Sequence, residues 1–135
     1  MTDQSTPALS PEVIEGTFDL ARTGRTGPLG EMIDAGVPLD VRNPRGDTLL
    51  IVAAYAEQEE VVANLLHRGA DPDAVNSHGQ TALACAVFRR NEQLLRMLLD
   101  AGADQNAGGH PAALIAEQFG LSGMRAVLGE YAARP

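Results

Sequence analysis

Apolar residues in the middle of the chain fall into short blocks, each closed by glycine or a polar cluster. Leu49 to Tyr55 is an unbroken, Ala-rich run behind Thr48, whose hydroxyl can accept a backbone N–H two or three residues on as a helix N-cap. A second block from about Glu59 to His67 places Val61, Val62, Leu65 and Leu66 at i, i+1, i+4 and i+5. That spacing predicts a helix with one inward stripe and with Glu60, Asn64 and Arg68 facing out. Gly69 follows where a helix end calls for positive φ, which glycine adopts without a Cβ penalty. Leu94, Leu95, Leu98 and Leu99 ahead of Gly102 reproduce the same stripe and stop. Upstream, Ser10-Pro11 reads as an N-cap and first helical residue, with Ile14, Phe18 and Ala21 on one face. Gly24 to Gly30, which contains Pro28, reads as the turn that separates this helix from Met32-Ile33-Asp34. Pro111 to Phe119 and Leu121 to Tyr131 predict a last helix pair joined at Gly120.

These blocks are copies of one another. Gly36, Gly69 and Gly102 recur at one constant interval, and Gly46-Asp47-Thr48-Leu49-Leu50 returns after the same interval as Gly79-Gln80-Thr81-Ala82-Leu83. Arg45 to Ser77 and His78 to His110 align end to end without a gap, with 11 identities. Two helices this short cannot bury their apolar faces alone, so copies must stack and share a continuous layer. Ala53, Ala54 and Ala86 are small where inner helices would approach closely, and the paired leucines fill the wider gap between layers.

The runs Gly46 to Ala53 and Gly79 to Ala86, of the form Gly-x-Thr-x-Leu-x-x-Ala, precede Leu65 to Asp73 and Leu98 to Asn106, of the form Leu-Leu-x-x-Gly-Ala-Asp-x-Asp/Asn. Together they resemble the ankyrin repeat. The resemblance covers about Pro11 to Tyr131, with two good central copies and two degenerate terminal ones, the last about three residues short at Ala107-Gly108-Gly109. It implies an all-α fold, an ankyrin-repeat solenoid of stacked helix-turn-helix units with short hairpin-like turns. The implied organisation is a flexible tail over 1–9 and one repeat domain over 10–131. Within it lie a capping repeat at about 10–43, inner repeats at 44–76 and 77–109, and a second cap at 110–131, complete as it stands. The family's usual Pro and His after the Thr are replaced by Leu49 and Ile51 in one copy and by Ala82 and Ala84 in the next. Loss of that His removes a hydrogen bond within and between turns, for which greater apolarity is the compensation at hand.

Composition narrows the chemistry. The 135 residues carry ten basic and 18 acidic side chains, a net charge of −8, and every basic residue is Arg. Such a balance disfavours nucleic acid and anionic lipid, and salt-sensitive nucleic-acid binding through the Arg row is a minor alternative. The start of the chain has neither a basic segment nor an apolar run, and nothing approaches a membrane span, so a cytoplasmic location is expected. Cys85 is alone, which rules out an intrachain disulfide, and its Ala-rich surroundings suit a packing role. His67, His78 and His110 are too far apart for zinc-ligand spacing, so no metal and no cofactor are expected. A phosphate cradle at Gly24 to Gly30 lacks both a Lys and a preceding strand. Glu59-Glu60 suit a helix start, and Asp71 and Asp73 suit turn hydrogen bonds. No catalytic constellation emerges, which leaves a small Cys/His-dependent enzyme as a remote alternative.

The resemblance implies a module that binds a partner protein through turn tips and the concave, inner-helix side. Arg22, Tyr55 and Phe88 are each one repeat apart and fall in one row, continued by Gln118 or Phe119 after the shortened turn. Arg89 and Arg90 lie beside that row, and Arg45 and His78 sit at turn tips. The candidate partner-binding residues are therefore Arg22, Arg45, Tyr55, His78, Phe88, Arg89 and Arg90. Two readings of the aromatics remain open at this point, contact residues or completion of inner-helix packing. With the Arg side chains on that face and Glu57, Glu59, Glu60, Glu92 and Asp100 elsewhere, a basic stripe would form and an acidic segment would be its ligand. A monomer is expected, with self-association through an imperfect cap as the structural alternative.

Overall fold

A computed structural model describes residues 9–134. Apart from Leu9, the tail expected over 1–9 lies outside the described residues. Eight helices follow in order among the described residues: α1 Pro11–Arg22, α2 Thr26–Asp34, α3 Leu49–Tyr55, α4 Glu59–His67, α5 Ala82–Phe88, α6 Glu92–Asp100, α7 Ala112–Gln118 and α8 Ser122–Ala132. Odd and even helices form two layers. In the inner layer α3 packs between α1 and α5, and α7 closes against α5; in the outer layer α2, α4, α6 and α8 stack in the same order. The architecture is the all-α repeat solenoid expected from the sequence.

Local chemistry explains the boundaries. Ser10, Thr48, Thr81 and Asn91 each cap a helix by accepting from a backbone N–H three residues on, at Val13, Ile51, Ala84 and Leu94. Gly69 and Gly102 close α4 and α6 at φ 98° and 94°. Ala53, Ala86 and Ala116, one in each successive inner helix, have no exposed surface, and Val61, Val62, Leu65, Leu94, Leu95 and Leu98 are equally buried between the layers. Small side chains thus set the close inner stacking while branched ones fill the interlayer space.

The structure corrects two expectations. Gly24 to Gly30 is not merely a turn, because α2 begins at Thr26 and runs through Gly27, Pro28 and Gly30. Pro28 lies in the first turn, where its missing N–H would have had no intrahelical acceptor. Gly30 is buried under the guanidinium of Arg68, and a Cβ there would lie 2.8 Å from Arg68 Nη2. Nor does Arg68 simply face solvent: it is half-buried and reaches from α4 to Asp34 of α2 at 2.9 Å. That hydrogen bond and the charge behind it hold the Asp34 carboxyl below its ordinary range.

Turn rigidity has its own source. Asn43 Oδ1 accepts from the backbone N–H groups of Arg45 and Asp47, and Asn76 Oδ1 does the same for His78 and Gln80 one repeat later. Asn76 Nδ2 donates to Asp47 Oδ1 at 2.8 Å and to Gln80 Oε1 at 2.9 Å, and the first bond ties one turn to the next. Backbone bonds continue the stack, from Ser77 N to Arg45 O at 3.1 Å and from Gly109 N to Gly79 O at 2.9 Å. Amides in the turns thus replace the family His; apolarity is not the only compensation.

Candidate partner-binding surface

Tyr55 and Phe88 are the last residues of α3 and α5, and Phe119 caps α7. Stacking of the inner helices brings the three rings into one ladder. Tyr55 and Phe88 meet edge to face with centroids 6.4 Å apart, and Phe88 and Phe119 lie 6.3 Å apart at a tilt of 37°. Their exposures are 50%, 52% and 61%, so they stand outside the core, which is complete beneath them. By position Gln118, the last residue of α7, continues the row, and Phe119, one residue on, supplies the third ring.

A groove of about 320 Å³ runs between the inner helices and the turns, walled by Arg22, Arg45, Asp47, Tyr55, His78 and Gln80. It therefore gathers four of the seven candidate residues. Next to it, a 260 Å³ depression lies between Tyr55, Phe88, Phe119 and His110. A further 560 Å³ cleft opens at the N-terminal end, where α1 faces Arg42, Asn43, Pro44 and Arg45; Ile14 and Phe18 form its apolar side. Arg22 and Arg45 border both this cleft and the central groove. Arg89 and Arg90 lie outside all three, at the corner between α5 and α6.

The basic stripe does not form. Arg89 donates to Glu57 at 3.0 Å while its guanidinium lies 5.2 Å from the Tyr55 ring centre, so Glu57 shares the face from which the sequence pattern had removed it. Its hydrogen bond to Glu57 holds the Arg89 guanidinium more firmly protonated than usual. Arg22 pairs with Asp19, one turn back on α1, and Arg45 has Asp47 at 3.8 Å. Glu57 turns towards Arg89 because it occupies the left-handed region at φ 59°, where it also accepts from Asn91 Nδ2 at 3.1 Å. Only Arg90, of the four Arg candidates, makes no ion pair among the described residues.

Cys85 and the three histidines are not all brought together among the described residues. Cys85 is buried in the floor of the groove, and burial, reinforced by the charge of Asp47, pushes its thiol up to about 12. A thiol so disposed carries too little thiolate at neutral pH to act as a nucleophile. His67, His78 and His110 are exposed on separate elements, and no group of three or more His, Cys, Asp or Glu side chains among the described residues could hold a metal ion. No described helix is long and apolar enough to cross a membrane.

Sequence reasoning placed Asp47 and Gln80 at the turn tips but passed over Asn43 and Asn76, which with them hold the groove's turn wall in place. The signal was present as two asparagines one repeat apart, each followed four positions later by a side chain able to accept from its amide.

A family model described as ankyrin repeats in three copies matches residues 21–108. A Pseudomonas aeruginosa protein bearing an ankyrin-repeat name is 37% identical over 65 residues, which is 46% of this chain and 38% of that relative. The chain thus matches well under half the length of that relative.

Proposed function

The chain belongs to the ankyrin repeat family, and from that premise we propose that it is a non-enzymatic adaptor or regulator that binds a partner protein along its concave face. Ankyrin repeats are generally protein–protein interaction modules. The observation that carries the reading is the exposed ladder of Tyr55 and Phe88, aligned by the repeat, with Phe119 against Phe88, over a core that does not need them. Aromatic rings fixed on short, rigid helices offer contact area at little cost in side-chain ordering. Around them Arg22, Arg45 and His78 supply hydrogen-bond donors on the groove wall, and Arg89 holds the Tyr55 ring in place. The protein works as a monomer in the cytoplasm on this reading, without metal or cofactor.

The pairing of Arg22, Arg45 and Arg89 changes the expected ligand. A run of acidic residues would have to displace Asp19, Asp47 and Glu57 from their guanidinium groups, so little electrostatic free energy is gained. An apolar or aromatic segment with an isolated charge suits the face better. Self-association is the second reading, favoured by the exposure of Leu114 within α7 and of Phe119 at its end.

The test is affinity capture from lysate with wild type beside the Tyr55→Ala/Phe88→Ala/Phe119→Ala variant, both checked for helicity and for mass. A protein retained by wild type alone is the expected result. Retention of the same proteins by both forms removes the concave-face assignment, and a concentration-dependent mass for wild type favours self-association.

A further inference from the structure

The corner between inner and outer helices is built four times, and the residue that makes it enters the left-handed region each time: Gly24 at φ 78°, Glu57 at 59°, Arg90 at 58° and Gly120 at 65°. Glycine occupies this region without strain, whereas a residue with a Cβ does so only where something offsets the penalty. Glu57 has that compensation inside the chain, since its carboxylate holds Arg89 and Asn91 of the next repeat. Arg90 has none: its side chain is exposed and makes neither an ion pair nor a hydrogen bond among the described residues. Its neighbour Arg89 is already committed to Glu57 and the Tyr55 ring, and the half-exposed Phe88 ring is two residues away. A strained, uncompensated cation beside an aromatic contact row is the kind of local outlier that binding sites retain.

We propose that Arg90 reads a single carboxylate on the partner, carried by an Asp or Glu adjacent to the apolar side chain that covers Phe88. The proposal rests on the concave-face reading and adds the partner's chemistry to it. Charge complementarity selects this occupant, because Arg90 is the one guanidinium among the four candidates that gains a first carboxylate instead of exchanging one for another. The contact lies at the rim, so the partner need not bury an unpaired charge to make it.

The probe is a phage-displayed random peptide library selected on the full chain, followed by titration of an enriched peptide. Wild type should enrich peptides with Asp or Glu beside an aromatic or aliphatic residue. Arg90→Gly and Arg90→Asn should each weaken the selected peptide by about two- to fivefold, and Arg90→Lys should restore part of the loss. Arg90→Gly should at the same time raise the melting temperature, because it relieves the backbone, so lost binding cannot be assigned to misfolding. Peptides enriched without a carboxylate preference, or an Arg90→Gly variant that binds equally well, overturn the proposal and leave the aromatic groove standing. If the library yields nothing that depends on Tyr55 and Phe88, the groove reading fails and this one fails with it.

Discussion

Replacing Asn76 by Ala tests whether the turns are held together by their amides. Its side chain is buried and makes four hydrogen bonds: two from backbone N–H groups, at 2.9 Å from His78 and 3.0 Å from Gln80, and two from its own amide, to Gln80 Oε1 and Asp47 Oδ1. A neutral bond contributes about 1 kcal/mol net and one to a charged acceptor about 1.5–3 kcal/mol, but the backbone donors at the turn edge regain water when the side chain is removed. The bond to Asp47 is not so easily replaced, because that carboxylate is itself buried. The expected loss is therefore about 2–4 kcal/mol, a large part of the roughly 5–15 kcal/mol that holds a domain of this size.

Asn43 provides the control. It makes the same two bonds to its own turn, but its amide reaches Asp47 Oδ2 only at 3.2 Å and crosses to no earlier repeat. Asn43→Ala should therefore cost about 1 kcal/mol. Urea denaturation followed by circular dichroism reads both, and the Asn76→Ala midpoint should fall by about 1–2 M. A cycle combining Asn76→Ala with Asp47→Ala should show a coupling of about 1–3 kcal/mol. Equal losses for the two asparagine variants, or additive losses in the cycle, would falsify the view that this bond carries stability from one repeat to the next.

Two further outcomes follow from the buried thiol and the stacked turns. Cys85 should resist a thiol reagent at pH 8 in the native protein and react once unfolded in urea. Because its folded value lies above the unfolded one, near 9, its contribution to stability is complete below pH 9 and declines as pH rises towards 12; Cys85→Ala should flatten stability across that window, and identical profiles would refute the assignment. Gly69→Ala and Gly79→Ala both place a side chain at positive φ, but the added Cβ meets open space at Gly69 and lies 3.2 Å from the Gly109 backbone at Gly79. The first should cost about 1 kcal/mol and the second clearly more; thermal melts giving equal losses would show that the turns do not press on one another.

Helices α3 and α4 were readable to the residue because Thr48, the apolar run, the paired apolar stripe and Gly69 all point to the same boundaries. The start of α2 was not, since three glycines and a proline in Gly24 to Gly30 argue for a turn and only the contact with Arg68 shows why glycine lies inside a helix. The site divides in the same manner. Periodicity placed Tyr55 and Phe88 in one row, and the shortened last turn left Gln118 and Phe119 as alternatives: the bounds of α7 put Gln118 at the repeat position, while Phe119 is the ring that reaches Phe88. The charge pattern failed because spacing gives the face of a helix but not the direction of a corner residue. Glu57 leaves α3 in the left-handed region, and that one backbone angle brings its carboxylate onto Arg89.

The division of labour among the concave residues follows from what each touches. Asn76 and Asp47 fix the turn wall from beneath, and Thr48 and Thr81 start the inner helices, so these positions hold the shape of the groove while offering little to a ligand. Tyr55, Phe88, Phe119 and His78 reach solvent above that frame, where substitution alters the surface with little change in the core. Arg89 belongs to both sets, since the same guanidinium joins two repeats through Glu57 and steadies the Tyr55 ring. Arg90 belongs to neither, its side chain being tied to nothing among the described residues and its backbone held in a conformation that a glycine would adopt more readily. On a scaffold whose stability is a sum over neighbouring repeats, Arg90 lowers that sum without joining two of them, so Arg90→Gly separates an effect on stability from an effect on binding.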